Sequence, residues 1–226
     1  MHDPDSSSIP WPIRAALAGV LACGFAATIG SSLYFALPGA ERLDWTVMPV
    51  VLVLFVLVCG LSIGLCVGAT TRFAARRGLG LPGLMVAGAT GGVLAGIAPG
   101  ILGIAGFGSL SAPYMGTANI LGSVLIGVIA FVALWSPSLF PRREGSSPAL
   151  HLAHAAAASI ISLGAFGMVA WSLATAFDLV PNLDTFIVLA HQMGLMRLAV
   201  VGGVLVGAAG GAAVGAACGL VRRLGR

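Results

Sequence analysis

The chain has 226 residues, of which 58% are hydrophobic and 8% charged, with a formal net charge of +4. A soluble domain carries about 25% charged residues, so this chain has too few polar groups to cover its own apolar surface, which argues against a water-soluble globular fold. The positive charge does not point to nucleic acid either, because the arginines stand in short clusters at the ends of apolar runs.

In chain order, a polar tail over residues 1–10 precedes a first apolar run over about 12–37. Asp3 and Asp5 stand where a secretory signal would carry its basic start, and the run exceeds the roughly 7–15 apolar residues of such a signal, so cleavage is not expected. Cys23 follows Val20, Leu21 and Ala22, a poor lipoprotein box because Leu21 fits badly and the chain stays apolar afterwards. Further runs cover about 46–71, 81–104, 118–135, 149–177 and 198–221. Each comes near or exceeds the roughly 20 residues that carry a helix across about 30 Å of hydrocarbon. The expected fold is all-α: a polytopic membrane bundle of six transmembrane helices, forming one integral membrane domain over 1–226 with no soluble domain.

All eleven basic residues are arginines, which, with the abundant Ala, Gly and Val, suggests a bacterial genome rich in G and C. Cytoplasmic segments retain Arg and translocated ones shed it. With six crossings and a cytoplasmic N-terminus, Arg14, Arg72, Arg76, Arg77, Arg142, Arg143, Arg222, Arg223 and Arg226 lie inside, and Arg42 and Arg197 outside. Both termini are therefore expected in the cytoplasm of an inner (cell) membrane. Aromatic rings with a polar tip favour the headgroup level, so Trp11 and Trp135 are expected at the inner boundary and Tyr34, Trp45 and Tyr114 at the outer one.

The most specific pattern is a four-residue glycine repeat: Gly60, Gly64 and Gly68 in the second run, Gly88, Gly92, Gly96 and Gly100 in the third, and Gly203, Gly207, Gly211, Gly215 and Gly219 in the sixth. Hydrocarbon gives little hydrophobic drive between helices, so association depends on close backbone approach, which small residues one turn apart permit. These twelve glycines are the expected helix-packing residues. The sixth run is small on nearly every side and is expected to be central, packed by several helices or by a neighbouring subunit. Pro99 interrupts the third run, where it removes a helical hydrogen bond, so a kinked or broken third helix is expected near Pro99 and Gly100. Non-helical backbone at membrane depth survives only when buried in protein or lining a wet cavity, which makes Pro99 and Gly100 candidates for lining a path.

An ungapped alignment of 14–44 with 154–184 pairs Ala15, Ala16, Ala18, Gly24, Ser32, Leu33, Ala36, Leu43 and Asp44 with identical residues. Two readings stand: matches inflated by alanine and glycine, or a parallel repeat of the kind some transporters use.

Chemistry is sparse. The run interiors hold no acidic residue or histidine away from their ends, which disfavours proton or sodium coupling. His151 and His154, spaced i, i+3, are the only candidates for metal ligands, with no third ligand nearby, and their other reading is an interfacial pair. The four cysteines lie in apolar runs without a CxxC pair and read as packing residues. No hydrolase, phosphate-loop or metalloprotease motif is present. The stretch Gly106, Phe107, Gly108, Ser109 lacks the glycine after serine that an intramembrane serine protease needs. Neither an enzyme, a catalytic residue nor a cofactor is expected.

Two functions fit these residues. The first is a small-solute channel or transporter, or its membrane-embedded subunit. The second is a structural or assembly subunit of a larger membrane complex. Both expect membrane lipids and either further copies of the chain or other membrane subunits as partners, and no nucleic acid.

Overall fold

The computed structural model describes residues 9–35, 48–102, 117–140, 147–176 and 195–225. They form six helices: α1 (Trp11–Phe35), α2 (Met48–Arg76), α3 (Leu81–Leu102), α4 (Thr117–Leu139), α5 (Pro148–Ala176) and α6 (Leu195–Leu224). Each apolar run corresponds to one of them. The helices overrun the apolar stretches at the arginine-bearing ends, α2 through Arg76 and α6 through Arg222 and Arg223. Cations in a last turn sit against the negative end of the helix dipole, so these arginines continue a helix as well as ending an apolar run. α3 remains helical on both sides of Pro99. Gly103, Gly106 and Gly108 lie outside the described residues.

The helix ends are set by local chemistry. The Pro10 carbonyl accepts from the Ile13 and Arg14 amides and opens α1. Ser147 caps α5, its hydroxyl accepting from the Leu150 amide at 3.2 Å, and Pro148 follows at the first helical position, where its missing N–H is no loss. α2 closes on Gly78, whose φ of 68° is left-handed. The Gly78 amide donates to the Ala75 carbonyl and the Leu79 amide to that of Ala74, each at 3.0 Å, the paired bonds of a Schellman cap. This four-residue turn folds α3 back antiparallel to α2. Gly78→Ala is expected to lower the unfolding free energy by about 1–2 kcal/mol, the penalty for a Cβ in that conformation. Thermal unfolding in detergent would check this, and an unchanged midpoint would show that the turn tolerates a side chain.

The helices pack as antiparallel pairs. Leu84 of α3 lies against Gly215 of α6, Gly92 against Gly207, and Gly96 against Gly203; α1 meets α2 the same way, with Ala15 at Gly64 and Gly19 at Gly60. α4 lies beside α1, and α5 beside α4 and α6. The start of α1, the end of α2, the end of α4, the start of α5 and the end of α6 consequently share one end of the molecule. Arg72 lies over Trp11 at 5.5 Å, Arg222 over Phe140 at 5.0 Å, and Arg77 over Phe73 at 4.5 Å. We call this the basic end.

The core sits in the basic half, around Val67, Phe131, Val132, Trp135, Ala158 and Cys218. One expectation changes. Trp135 does not present a ring to a headgroup layer: it is 0% exposed, and its Nε1–H donates to the Thr71 hydroxyl at 3.0 Å. The ring lies beside Gly68, where an added Cβ would stand at an ordinary contact distance of 3.5 Å, and it is the Thr71 acceptor that lets the indole N–H be buried. α6 is enclosed only in its C-terminal half, where Ala212 to Cys218 are buried, whereas Val201, Leu205 and Val206 are exposed. α3 covers one side of that half, and α4 and α5 cover others.

Candidate functional site

Two features stand out, the glycine contacts and the basic end. Along α3 and α6, a Cβ at Gly88 would fall on the Gly211 carbonyl oxygen, one at Gly92 on that of Gly207, one at Gly96 on that of Gly203, and one at Gly215 on that of Leu84. At Gly219 it would stand 2.6 Å from Leu81 Cδ1. Along α1 and α2, a Cβ at Gly19 would fall on the Gly60 carbonyl oxygen and one at Gly64 on that of Ala15; one at Gly60 would stand 2.5 Å from Val20 Cα, and one at Gly68 2.8 Å from Ala15 Cβ. No side chain fits between these backbones. Gly91, one residue off the four-residue pattern, brings α3 against α2, 2.7 Å from the Cys66 oxygen by the same measure. Spacing alone did not single it out. Gly100 and Pro99 lie in α3, but their surroundings are outside the described residues.

The aligned repeat does not carry over to the packing. The glycines of α2 meet α1, whereas those of α6 meet α3, and Gly164, aligned with Gly24, has nothing within 4 Å of a Cβ.

At the basic end, an open groove of about 860 Å³ runs between α2 and α3. Trp11, Arg72, Phe73 and Arg76 line it towards the arginines, and Ala69, Thr70, Val86, Ala87 and Thr90 line it deeper. Arg72 is only 8% exposed. The two threonine hydroxyls donate to their own helix, Thr70 to the Cys66 carbonyl at 3.0 Å and Thr90 to that of Val86 at 2.9 Å. The strongest polar groups of the groove are thus its arginines. Nothing in the spacing of Arg72 and Arg76 distinguished them from topology markers.

His151 joins α5 to α4 through Nε2, 3.3 Å from the Ser136 hydroxyl and 3.2 Å from the Ala133 carbonyl oxygen. One ring nitrogen is thereby occupied in holding two helices together. Among the described residues, no group of three or more His, Cys, Asp or Glu side chains could hold a metal ion. Cys59 and Cys218 are buried, Cys23 and Cys66 half-buried, and all four are free thiols.

Four stretches, Trp11–Ile29, Val56–Arg76, Pro148–Val169 and Val200–Leu224, are long and apolar enough to cross a membrane, while Leu81–Ile97 and Val124–Leu139 are shorter apolar helices among the described residues. The fold is therefore that of an all-helical protein suited to a membrane. No family model, curated protein or solved structure matches the chain.

Proposed function

We propose that all six helices cross the bilayer of a bacterial inner membrane, with the basic end and both termini in the cytoplasm, and that the protein is an assembly subunit of a larger membrane complex. The topology is supported by the antiparallel pairs, since neighbours an odd number of crossings apart must run in opposite directions, and by the arginines gathered at one end. Glycine seams supply the cohesion that hydrocarbon does not.

The assembly reading rests on the outer face of α5 and α6. Gly164, Gly167, Gly202 and Gly210 have nothing within 4 Å of a Cβ, and Met168, Val169, Leu205 and Val206 beside them are exposed. A face that is both small and apolar admits another transmembrane helix closely, from a further copy or from a different subunit. Purification in mild detergent, with mass measured by light scattering, is expected to give a homo-oligomer or a stable heteromer. Gly202→Leu with Gly167→Leu should break it down, and a wild-type monomer would overturn the reading.

Small-solute transport is the second reading. Pro99 favours it, because a proline within α3 removes a helical hydrogen bond, and glycine contacts permit sliding between conformations. Osmotic swelling of reconstituted vesicles in small polyols would detect such a path. Against it, the buried polar residues among those described, Thr71, Arg72, Ser136, Ser159 and Ser162, gather in the basic half and do not continue along the bundle.

A further inference from the structure

We infer that the groove between α2 and α3 is a binding site for an anionic phospholipid, with the headgroup phosphate held by Arg72 and Arg76 and an acyl chain lying along Val86 and Ala87. The inference rests on the membrane reading above, which places the basic end at a bilayer surface. Its source is the way charge and apolar surface are divided within one groove. Arginines line one end, and the threonine hydroxyls further in are bonded to their own helix. Phe73 at the arginine end is 58% exposed and Val86 on the deeper wall 67%, so the groove opens sideways, towards the surroundings of the helices and not into the core. The volume, about 860 Å³, falls within the roughly 300–1,000 Å³ of sites that hold small molecules.

Arginine suits this task. Its guanidinium offers five N–H donors in a planar fork that matches phosphate. Arg72 lies over Trp11, 5.5 Å from the ring centroid, which holds the cation at the mouth of the groove. Arg77 stacks on Phe73 at 4.5 Å and adds positive charge beside the opening. An amphiphile with an anionic head and a hydrocarbon tail matches this arrangement end for end. A soluble anion would leave the apolar wall uncovered, and a zwitterionic lipid would gain less from the arginines.

Native mass spectrometry of the full chain, titrated with phosphatidylglycerol or phosphatidylcholine of the same acyl chains, tests the site. Phosphatidylglycerol is expected to bind more tightly. Arg76→Gln, a change at an exposed position, should weaken it about fivefold. Val86→Trp, which keeps both arginines but fills the groove, should weaken it as well. Equal binding of the two lipids overturns the inference, as does either variant binding phosphatidylglycerol like the wild type. Displacement by millimolar inorganic phosphate would mark a site for free anions and would also overturn it. Release of the protein from membranes by alkaline carbonate would instead refute the membrane reading, so the two failures are distinguishable.

Discussion

Gly92→Ala or Gly207→Ala is expected to lower the apparent unfolding free energy by about 3 kcal/mol, the upper part of the range for overpacking a tight interface. A methyl group is small, but each would land on a carbonyl oxygen of the opposite helix. Backbone cannot rotate away as a side chain can, so α3 and α6 would have to separate along the seam and lose dispersion contacts at several turns. The same substitution away from the seam should behave oppositely. At Gly24, where a Cβ would stand at an ordinary 3.9 Å from the Val56 side chain, alanine removes only the conformational freedom of glycine and should be neutral or stabilising by up to about 1 kcal/mol. Gly92 and Gly207 face each other, so once one methyl has opened the seam the second meets less resistance, and the double variant should cost less than the sum of the singles. Steric-trap unfolding in mixed micelles would measure all four proteins. Equal effects at Gly92 and Gly24 would mean that the seam does not hold the helices.

Trp135→Ala should cost about 3–5 kcal/mol, as expected for emptying a fully buried aromatic site. The indole links three helices: it stands on α4, its ring lies over Gly68 of α2, and both meet Ala15 of α1. Its hydrogen bond adds a smaller, separable effect. Thr71 accepts from Trp135 while donating to the Val67 carbonyl at 2.6 Å. Thr71→Val keeps the volume but leaves a buried indole N–H without its acceptor, which should cost about 1–3 kcal/mol. The order, with Trp135→Ala well below Thr71→Val in stability, is readable from thermal midpoints in detergent. The reverse order would show that the cavity closes freely.

The six helices could be read from the sequence because each apolar run is bounded by arginines, prolines or polar residues, and hydrophobic length is a property of a segment by itself. Which helix meets which is not such a property. The ladders of α2 and α6 are spelled alike, Gly, three residues, Gly, three residues, Gly, yet one faces α1 and the other α3. Four-residue spacing defines a face without naming its partner. Trp135 shows the same gap: an aromatic residue near the end of an apolar run suits a membrane boundary, and its burial depends on the acceptor that Thr71 offers from another helix. A helix small on nearly every side names no neighbour either: within the chain only the C-terminal half of α6 is enclosed, and Leu205 and Val206 in its N-terminal half are exposed. The groove was illegible for a further reason. Arg72 and Arg76 look like topology markers in sequence, and their shared cleft exists only once Gly78 turns α3 back alongside α2.

The most direct measurement is oxidative cross-linking of α3 to α6 in carbonate-washed membranes, with Leu81→Cys and Gly219→Cys introduced into a chain whose four native cysteines are replaced by alanine. A Cβ at Gly219 would stand 3.5 Å from Leu81 Cα, and the Leu81 side chain that would obstruct it is removed by the substitution itself. With a Cα–Cβ bond of about 1.5 Å, the two Cα atoms are at most about 5.0 Å apart, within the reach of a disulfide, whose Cα atoms lie up to about 6.8 Å apart. With a protease site inserted between residues 141 and 146, the two fragments of each chain should stay joined after oxidation and cleavage and separate on reduction. Fragments that separate without reductant, or protein found in the carbonate supernatant, would contradict a glycine-seamed bundle held in the bilayer.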